Sequence, residues 1–458
     1  MPWPSTLFFA LLLAFFVGPG FWRRANTGDF FLAGRRAGTG TVAGSLIATC
    51  LGASATSGLV ARAYIAGWSA VWWLGAGSIG LALLGLVWAR FMRESAATRT
   101  LPEWAGDTYG LPARTLAAGV IDVMWIAVIA AQWTAAGSIL SVMWGWPIQG
   151  GIVVAAGCVI GYTIVGGQAA VLRTDRWQLG LLGVAVAAAG FFALRLPGTG
   201  TAAPSVSFRL SGIVAVSPLD WLALILVVGG MYVVGPDLCS RVLVAKDTAS
   251  ARRGAFAAAL CILPAAFVIV GTGVAIRLSG QVLASPRDAL PWLINRSGVV
   301  PPWAGAVINA GLLAAMLSSA DTCLLTAGSV LELDVLGRGK APNRQEGRGR
   351  LWVAAIGVLS VILACLRPQI IPNMLLAYAF YTGGLLVPLL LLAWPRVARS
   401  IPRPVVWWSI VIGGGTPVLL LLTQRSVTTA RAGLTGAVVC TLALLAGLVW
   451  ARAGRRCP

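Results

Sequence analysis

The sequence predicts an all-α integral membrane protein of about thirteen transmembrane helices, and three observations carry that expectation. Of the 458 residues, 58% are hydrophobic and only 10% charged, with a mean hydropathy of +0.85, whereas a soluble domain carries roughly 25% charged residues. Apolar runs of about 20 residues recur along the whole length, each long enough to cross a hydrocarbon core of roughly 30 Å as a helix. Basic residues gather in alternate loops between those runs, as the positive-inside rule expects of a chain that crosses repeatedly.

The runs fall at 5–22, 38–61, 69–91, 113–142, 148–165, 177–194, 213–234, 255–275, 301–330, 351–366, 371–394, 405–422 and 432–450. The first lacks a basic leader and a small-residue cleavage site, and Arg23-Arg24 follows it, so a retained helix is expected rather than a signal peptide. The second concentrates glycine and hydroxyl residues in its middle, from Thr49 through Gly52, Ser54, Thr56 and Ser57 to Gly58. A membrane helix interrupted in this way can unwind and offer free carbonyls, which is tolerable where they line a cavity or meet an ion. A Gly/Ala/Ser packing face is the other reading. The third run leads to Thr100-Leu101-Pro102-Glu103, and the fourth holds Gln132. The fifth ends at Tyr162 to Gly167, the sixth opens with Arg173-Thr174-Asp175-Arg176, and the seventh is followed by a loop containing Arg241 and Ala245-Lys246-Asp247.

The ninth run sets polar residues, Ser318-Ser319-Ala320-Asp321-Thr322, into an apolar stretch. Residues three and four apart share a helix face, so the carbonyl of Ala315 and the hydroxyls of Ser318 and Ser319 converge on one point. Three neutral oxygens at one point suit a small hard cation. Asp321 and Thr322 lie one turn further on, and a carboxylate at membrane depth is a functional hypothesis by default; close helix packing through small residues is the competing reading. The second and ninth runs cross in opposite directions with their unusual residues near the middle. They are therefore the expected pair of interrupted segments around a midplane site between inverted repeats. The expected organisation is a first helix outside the core at 1–28, repeats at 29–196 and 197–396, and two peripheral helices with a short tail at 397–458.

Composition narrows the function. The net charge of +20 follows loop orientation, so no nucleic-acid partner is expected; the partners are the lipid bilayer, a cation and a small solute. The absence of histidine removes histidine-based acid–base catalysis and most zinc chemistry, and the eight cysteines show no ligand spacing. Neither an enzyme nor an organic cofactor is expected. Few residues follow the thirteenth run before Pro458, which leaves no room for the signalling domain of a transporter-like membrane sensor.

Five blocks in order carry a resemblance: Phe31-Leu32-Ala33-Gly34-Arg35, Thr100-Leu101-Pro102-Glu103, Tyr162-Thr163 with Gly166-Gly167, Thr174-Asp175 and Gln178, then Arg241 with Ala245-Lys246-Asp247, and Ser318-Ser319-Ala320-Asp321. Over about 29–336 the sequence resembles the sodium:solute symporter family, which includes sodium/proline and sodium/glucose transporters. The resemblance implies a LeuT-type core of two inverted five-helix repeats and Na+ as coupling ion. By position it implies a sodium site formed by the carbonyls of Ala48, Leu51 and Ala315 and the hydroxyls of Ser318 and Ser319. Some members bind a second sodium, which here would use Asp175, Asp321 and Thr322; a proton could take its place, and Asp175 could instead pair with Arg173 or Arg176 at a helix mouth. Cys50 and Ala55 stand where sugar-transporting members present amide or carboxylate side chains, which favours an amino acid or small carboxylate over a sugar. Gln132, Arg62 and Tyr64 are further candidates for the solute pocket, Arg62 either attracting an anion or reaching the outer interface, and Trp68, Trp72 and Trp73 are candidate lids. The expected function is sodium-coupled import by alternating access, with proton coupling as the nearest alternative. The N-terminus is expected outside, and the C-terminus in the cytoplasm, of a bacterial plasma membrane.

Overall fold

The computed structural model describes residues 30–94, 99–198, 209–214, 216–337, 342–368, 371–424 and 428–454. The expected helix at 5–22 lies outside the described residues. Among them, ten helices are long and apolar enough to cross a membrane. The expected thirteen is not reached by that count, because the second span is broken into short pieces and the fifth and sixth run on as one element.

The first broken span comprises α1 (Thr39–Cys50) and α2 (Ser57–Ala66), with non-helical chain between them. Glycine is costly in a helix, and Ser and Thr compete by bonding nearby backbone. Here Thr56 donates its hydroxyl to the carbonyl of Gly52 at 2.9 Å and Ser57 to that of Ala53 at 3.3 Å. After α3 (Trp72–Leu83) comes α4 (Leu101–Tyr109), which opens with a side-chain cap: Thr100 Oγ1 accepts from Glu103 N at 3.2 Å, and Glu103 Oε2 reaches past it to accept from Arg99 N at 2.7 Å. The long α5 (Leu111–Trp144) stops at Gly145, which adopts the left-handed conformation common just past helix ends. Next, α6 (Ile148–Ala193) bends at Gly167, where φ is +53°. A side chain would be strained there and would also collide with Phe30, whose carbonyl accepts from Gln168 N at 3.0 Å.

The span Pro218–Leu243 is the second broken one. It consists of α7 (Pro218–Leu224), a wide π-turn at Ile225–Gly229, α8 (Gly230–Val234) and α9 (Pro236–Leu243). Gly235 is extended, and Pro236 has no N–H to continue the ladder. The expected partner of the first break, the ninth run, is instead one continuous helix, α11 (Pro302–Val330), after α10 (Thr248–Leu278). Its hydroxyls bond back to carbonyls one turn earlier, as in Ser319 to Ala315 at 3.1 Å and Ser329 to Leu325 at 2.6 Å, an arrangement that helices tolerate.

The remaining helices are α12 (Pro342–Leu366), α13 (Ile371–Leu391), α14 (Arg403–Thr423) and α15 (Thr429–Gly454). The run containing α11, Pro302–Leu336, has 89% of its apolar window buried, so the core is built around it. It packs against α5, α6 and α12, whereas α14 and α15 pack chiefly on each other and on α13. Two backbone bonds join the broken spans at one end: Ala37 N donates to Val244 O at 3.0 Å, and Lys246 N to Ala37 O at 2.9 Å. Close to the end of α11, Asp334 accepts from Thr100 at 2.9 Å and pairs with Arg114 at 2.8 Å, which fastens the Thr-Leu-Pro-Glu block to the core.

Candidate functional site

Neutral oxygens gather where α11 passes the first break. The carbonyls of Ala48, Thr49, Cys50 and Leu51 receive no backbone hydrogen bond among the described residues, and Ala48, Leu51 and Ala315 are all buried. The hydroxyl of Ser319 lies 3.0 Å from the carbonyl oxygen of Thr49 and 3.1 Å from that of Ala315. Thr49 stands between Ala48 and Leu51, the two carbonyls that sequence reasoning named. Gly52 seats this contact, since a Cβ there would lie only 2.3 Å from Ser319 Oγ and 3.0 Å from Gln132 Nε2. Free carbonyls and hydroxyls in a buried place are costly unless something accepts them. A monovalent hard cation is a chemical fit for that donor set.

A charged cluster adjoins it. Asp175 accepts from Ser318 at 2.5 Å and from Ser45, and it pairs with Arg241 at 3.5 Å. The alternative expected for Asp175, a salt bridge to Arg173 or Arg176, is thus replaced by one to a residue on α9. Arg241 is fully buried and also donates to the hydroxyl of Thr322. Asp321 accepts from Tyr162 at 2.5 Å, and Thr322 Oγ1 lies 3.2 Å from Asp321 Oδ1. The group therefore sets two carboxyl groups beside one guanidinium. Sequence reasoning placed Arg241 in a loop and did not count Ser45 or Tyr162 among the site residues. The available signal was an arginine four residues after an aspartate behind Gly235-Pro236, in an otherwise apolar stretch.

The solute candidates separate. Cys50 and Gln132 line a narrow cavity between the two breaks, together with Thr49, Ser54, Tyr232 and Asp237. Gln132 Oε1 accepts from Ala53 N at 3.0 Å and so holds the unwound chain in place. Arg62 lines a larger adjoining cavity of about 300 Å³ with Ser54, Trp73, Arg287 and Met374. Ala55 is fully buried. Tyr64 is otherwise engaged: its hydroxyl donates to Gln281 O at 2.7 Å and accepts from Leu283 N at 3.2 Å, which holds a loop rather than a pocket. The indole of Trp72 donates to Ile213 O at 2.7 Å.

The profile of the Sodium:solute symporter family matches residues 30–400. Among similar proteins, the sodium/glucose cotransporter of Vibrio parahaemolyticus is 24% identical, the match covering 86% of this chain and 81% of that one. The sodium/proline symporter of Staphylococcus aureus is also 24% identical, over 87% and 83%. The fold matches that of a Na+-coupled sialic acid symporter solved in a substrate-bound outward-open state, with a TM-score of 0.79, 18% identity and 98% of each chain covered. Because the family profile spans most of the sequence and the helices adopt this LeuT-type, all-α membrane architecture, the chain belongs to the sodium:solute symporter family.

Proposed function

We propose that the protein is a secondary active symporter that uses the sodium gradient to import a small organic solute by alternating access. The observation that carries this reading is the hydroxyl of Ser319 set 3.0 Å from a carbonyl of the unwound segment. It joins the first broken span to the central helix at a cluster of neutral oxygens. In this reading Na+ is bound by Ser318, Ser319 and the carbonyls of Ala48, Leu51 and Ala315, with Thr49 added by the geometry. The ion then favours the arrangement in which α11 touches the break, and its release follows when that contact opens. Coupling requires that ion and solute favour the same conformer by a few kcal/mol of differential affinity, on the order of 1–3 kcal/mol.

The solute lies between the two breaks, and a small, weakly polar pocket favours an amino acid or small carboxylate over a sugar. The repeats are 29–196 and 197–396, and the basic loops place the N-terminus outside and the C-terminus in the cytoplasm of a bacterial plasma membrane. Proton coupling is a second reading, supported by the unbalanced pair Asp175 and Asp321 beside Arg241. Uptake into proteoliposomes under separately imposed sodium and proton gradients tests both: sodium-driven accumulation at equal pH is expected, and accumulation driven by protons alone would overturn sodium coupling.

A further inference from the structure

Asp237 is the second residue of α9, just beyond the break at Gly235-Pro236. Its Oδ1 is buried and has no hydrogen-bond partner among the described residues, and no basic group there forms an ion pair with it. The nearest arginine along the helix, Arg241, directs its Nη2 to Asp175 and Thr322 and makes no ion pair with Asp237. Across the cavity, the hydroxyl of Thr49, a residue only 7% exposed, is likewise unpartnered. The same cavity is framed by Tyr232 and Tyr378, with Met374 alongside, and holds about 30 Å³, room for a group the size of one water. A carboxylate without a direct ion-pair partner at membrane depth is expensive to maintain. Aromatic faces beside it favour a cation over a neutral group.

We propose that the carried solute bears a protonated amine and that Asp237 receives it. This rests on the symporter reading above and adds the charge of the solute to it. The ammonium donates to the free oxygen of Asp237 and to the hydroxyl of Thr49, with the tyrosine rings around it. In a zwitterion the opposite end points toward the adjoining cavity, where Arg62 and Arg287 supply positive charge. The oxygens assigned above to sodium do not include the Thr49 hydroxyl or the Asp237 carboxylate, so the two cations occupy separate ligands.

The test is a thermal-shift series on the full-length protein in a sodium buffer and in a potassium buffer of equal ionic strength. Amines are paired with their des-amino counterparts: L-proline with cyclopentanecarboxylate, L-alanine with propionate, putrescine with butanediol. Only ammonium-bearing members are expected to raise the melting temperature. Asp237→Asn should weaken that response at least tenfold and leave the shift caused by Na+ alone within twofold. A des-amino compound that stabilises as well as its amine overturns the proposal, and this comparison needs no variant. Wild-type affinity in Asp237→Asn also overturns it. Loss of the Na+ shift in Asp237→Asn would assign the carboxylate to the ion and overturn it too. A wild-type protein indifferent to Na+ counts against the symporter reading itself, while the amine comparison still reads the charge of the solute.

Discussion

Replacing Ser319 with alanine removes one neutral ligand from the proposed ion and one hydrogen bond from the ion-free protein, and the two losses can be measured apart. Without the ion, the hydroxyl bonds to Thr49 or Ala315 at 3.0–3.1 Å, a neutral contact that contributes about 1 kcal/mol. With the ion bound, it becomes a dipole on a full charge, and such contacts contribute roughly 1.5–3 kcal/mol. Binding loses only the difference, roughly 0.5–2 kcal/mol, so at about 1.4 kcal/mol per tenfold the sodium dissociation constant should rise roughly 2- to 30-fold. Sodium at 100 times its dissociation constant stabilises the native state by about 2.7 kcal/mol. A tenfold weakening reduces that to about 1.4 kcal/mol at the same concentration. The assay is a sodium titration of thermal stability, cross-checked by the fluorescence of the 20 tryptophans. Sodium-dependent uptake should shift in parallel, with little change in solute affinity at saturating sodium. An unchanged sodium midpoint in Ser318→Ala/Ser319→Ala would refute the assignment.

Gly52→Ala places a methyl group 2.3 Å from Ser319 Oγ; overpacking of this kind costs about 1–3 kcal/mol, and loss of the sodium-induced stabilisation is expected alongside a lowered melting temperature. Arg241→Gln leaves Asp175 buried without its partner and should destabilise by roughly 3–5 kcal/mol. The double change with Asp175→Asn should recover part of that loss, a sign of coupling that a chemical-denaturation cycle measures. Outside the spans, Asp247 caps α10 by accepting from Ser250 N at 2.6 Å, and that backbone bond, with the serine hydroxyl, holds its carboxylate below the usual range. Its folded pKa lies below its unfolded one, so the cap's contribution is present above about pH 4 and fades as pH falls through the lowered value. Hydrogen-exchange protection factors at 248–251, taken relative to the unfolded-chain rate at each pH, should therefore fall in acid, and Asp247→Ser should remove that pH dependence while keeping a cap.

The parts of this fold that could be read from the sequence are those specified locally. Hydrophobic runs gave the spans, and the cluster of Gly, Ser and Thr at 49–58 marked the first break because each of these residues disfavours helix by its own chemistry. The spacing of Ala315 and Ser319 accounts for the 3.1 Å contact between their oxygens, whereas the hydroxyl of Ser318 turns to Asp175, a neighbour that spacing does not reveal. The second break was legible in principle, since Gly235-Pro236 is a strong interruption. The apolar run ends at Val234, however, so the pair reads equally well as the start of a loop. Once α9 is taken as loop, Asp237 and Arg241 become solvated charges and drop out of consideration. Asp175 shows the harder limit. Its partner is 66 residues away in the chain, and nothing local separates Arg241 from the flanking Arg173 and Arg176; only the packed structure chooses.

The short stitch between Ala37 and residues 244–246 has a mechanical consequence. It is made of main-chain bonds, so among substitutions only proline, which lacks the N–H, would delete one of them, and it fixes the start of one discontinuous span beside the finish of the other. Relative movement of these two spans must then swing about that clasp, like shears about a rivet. The largest opening falls at the far ends, and the gap between the blades widens or narrows while the handle stays shut.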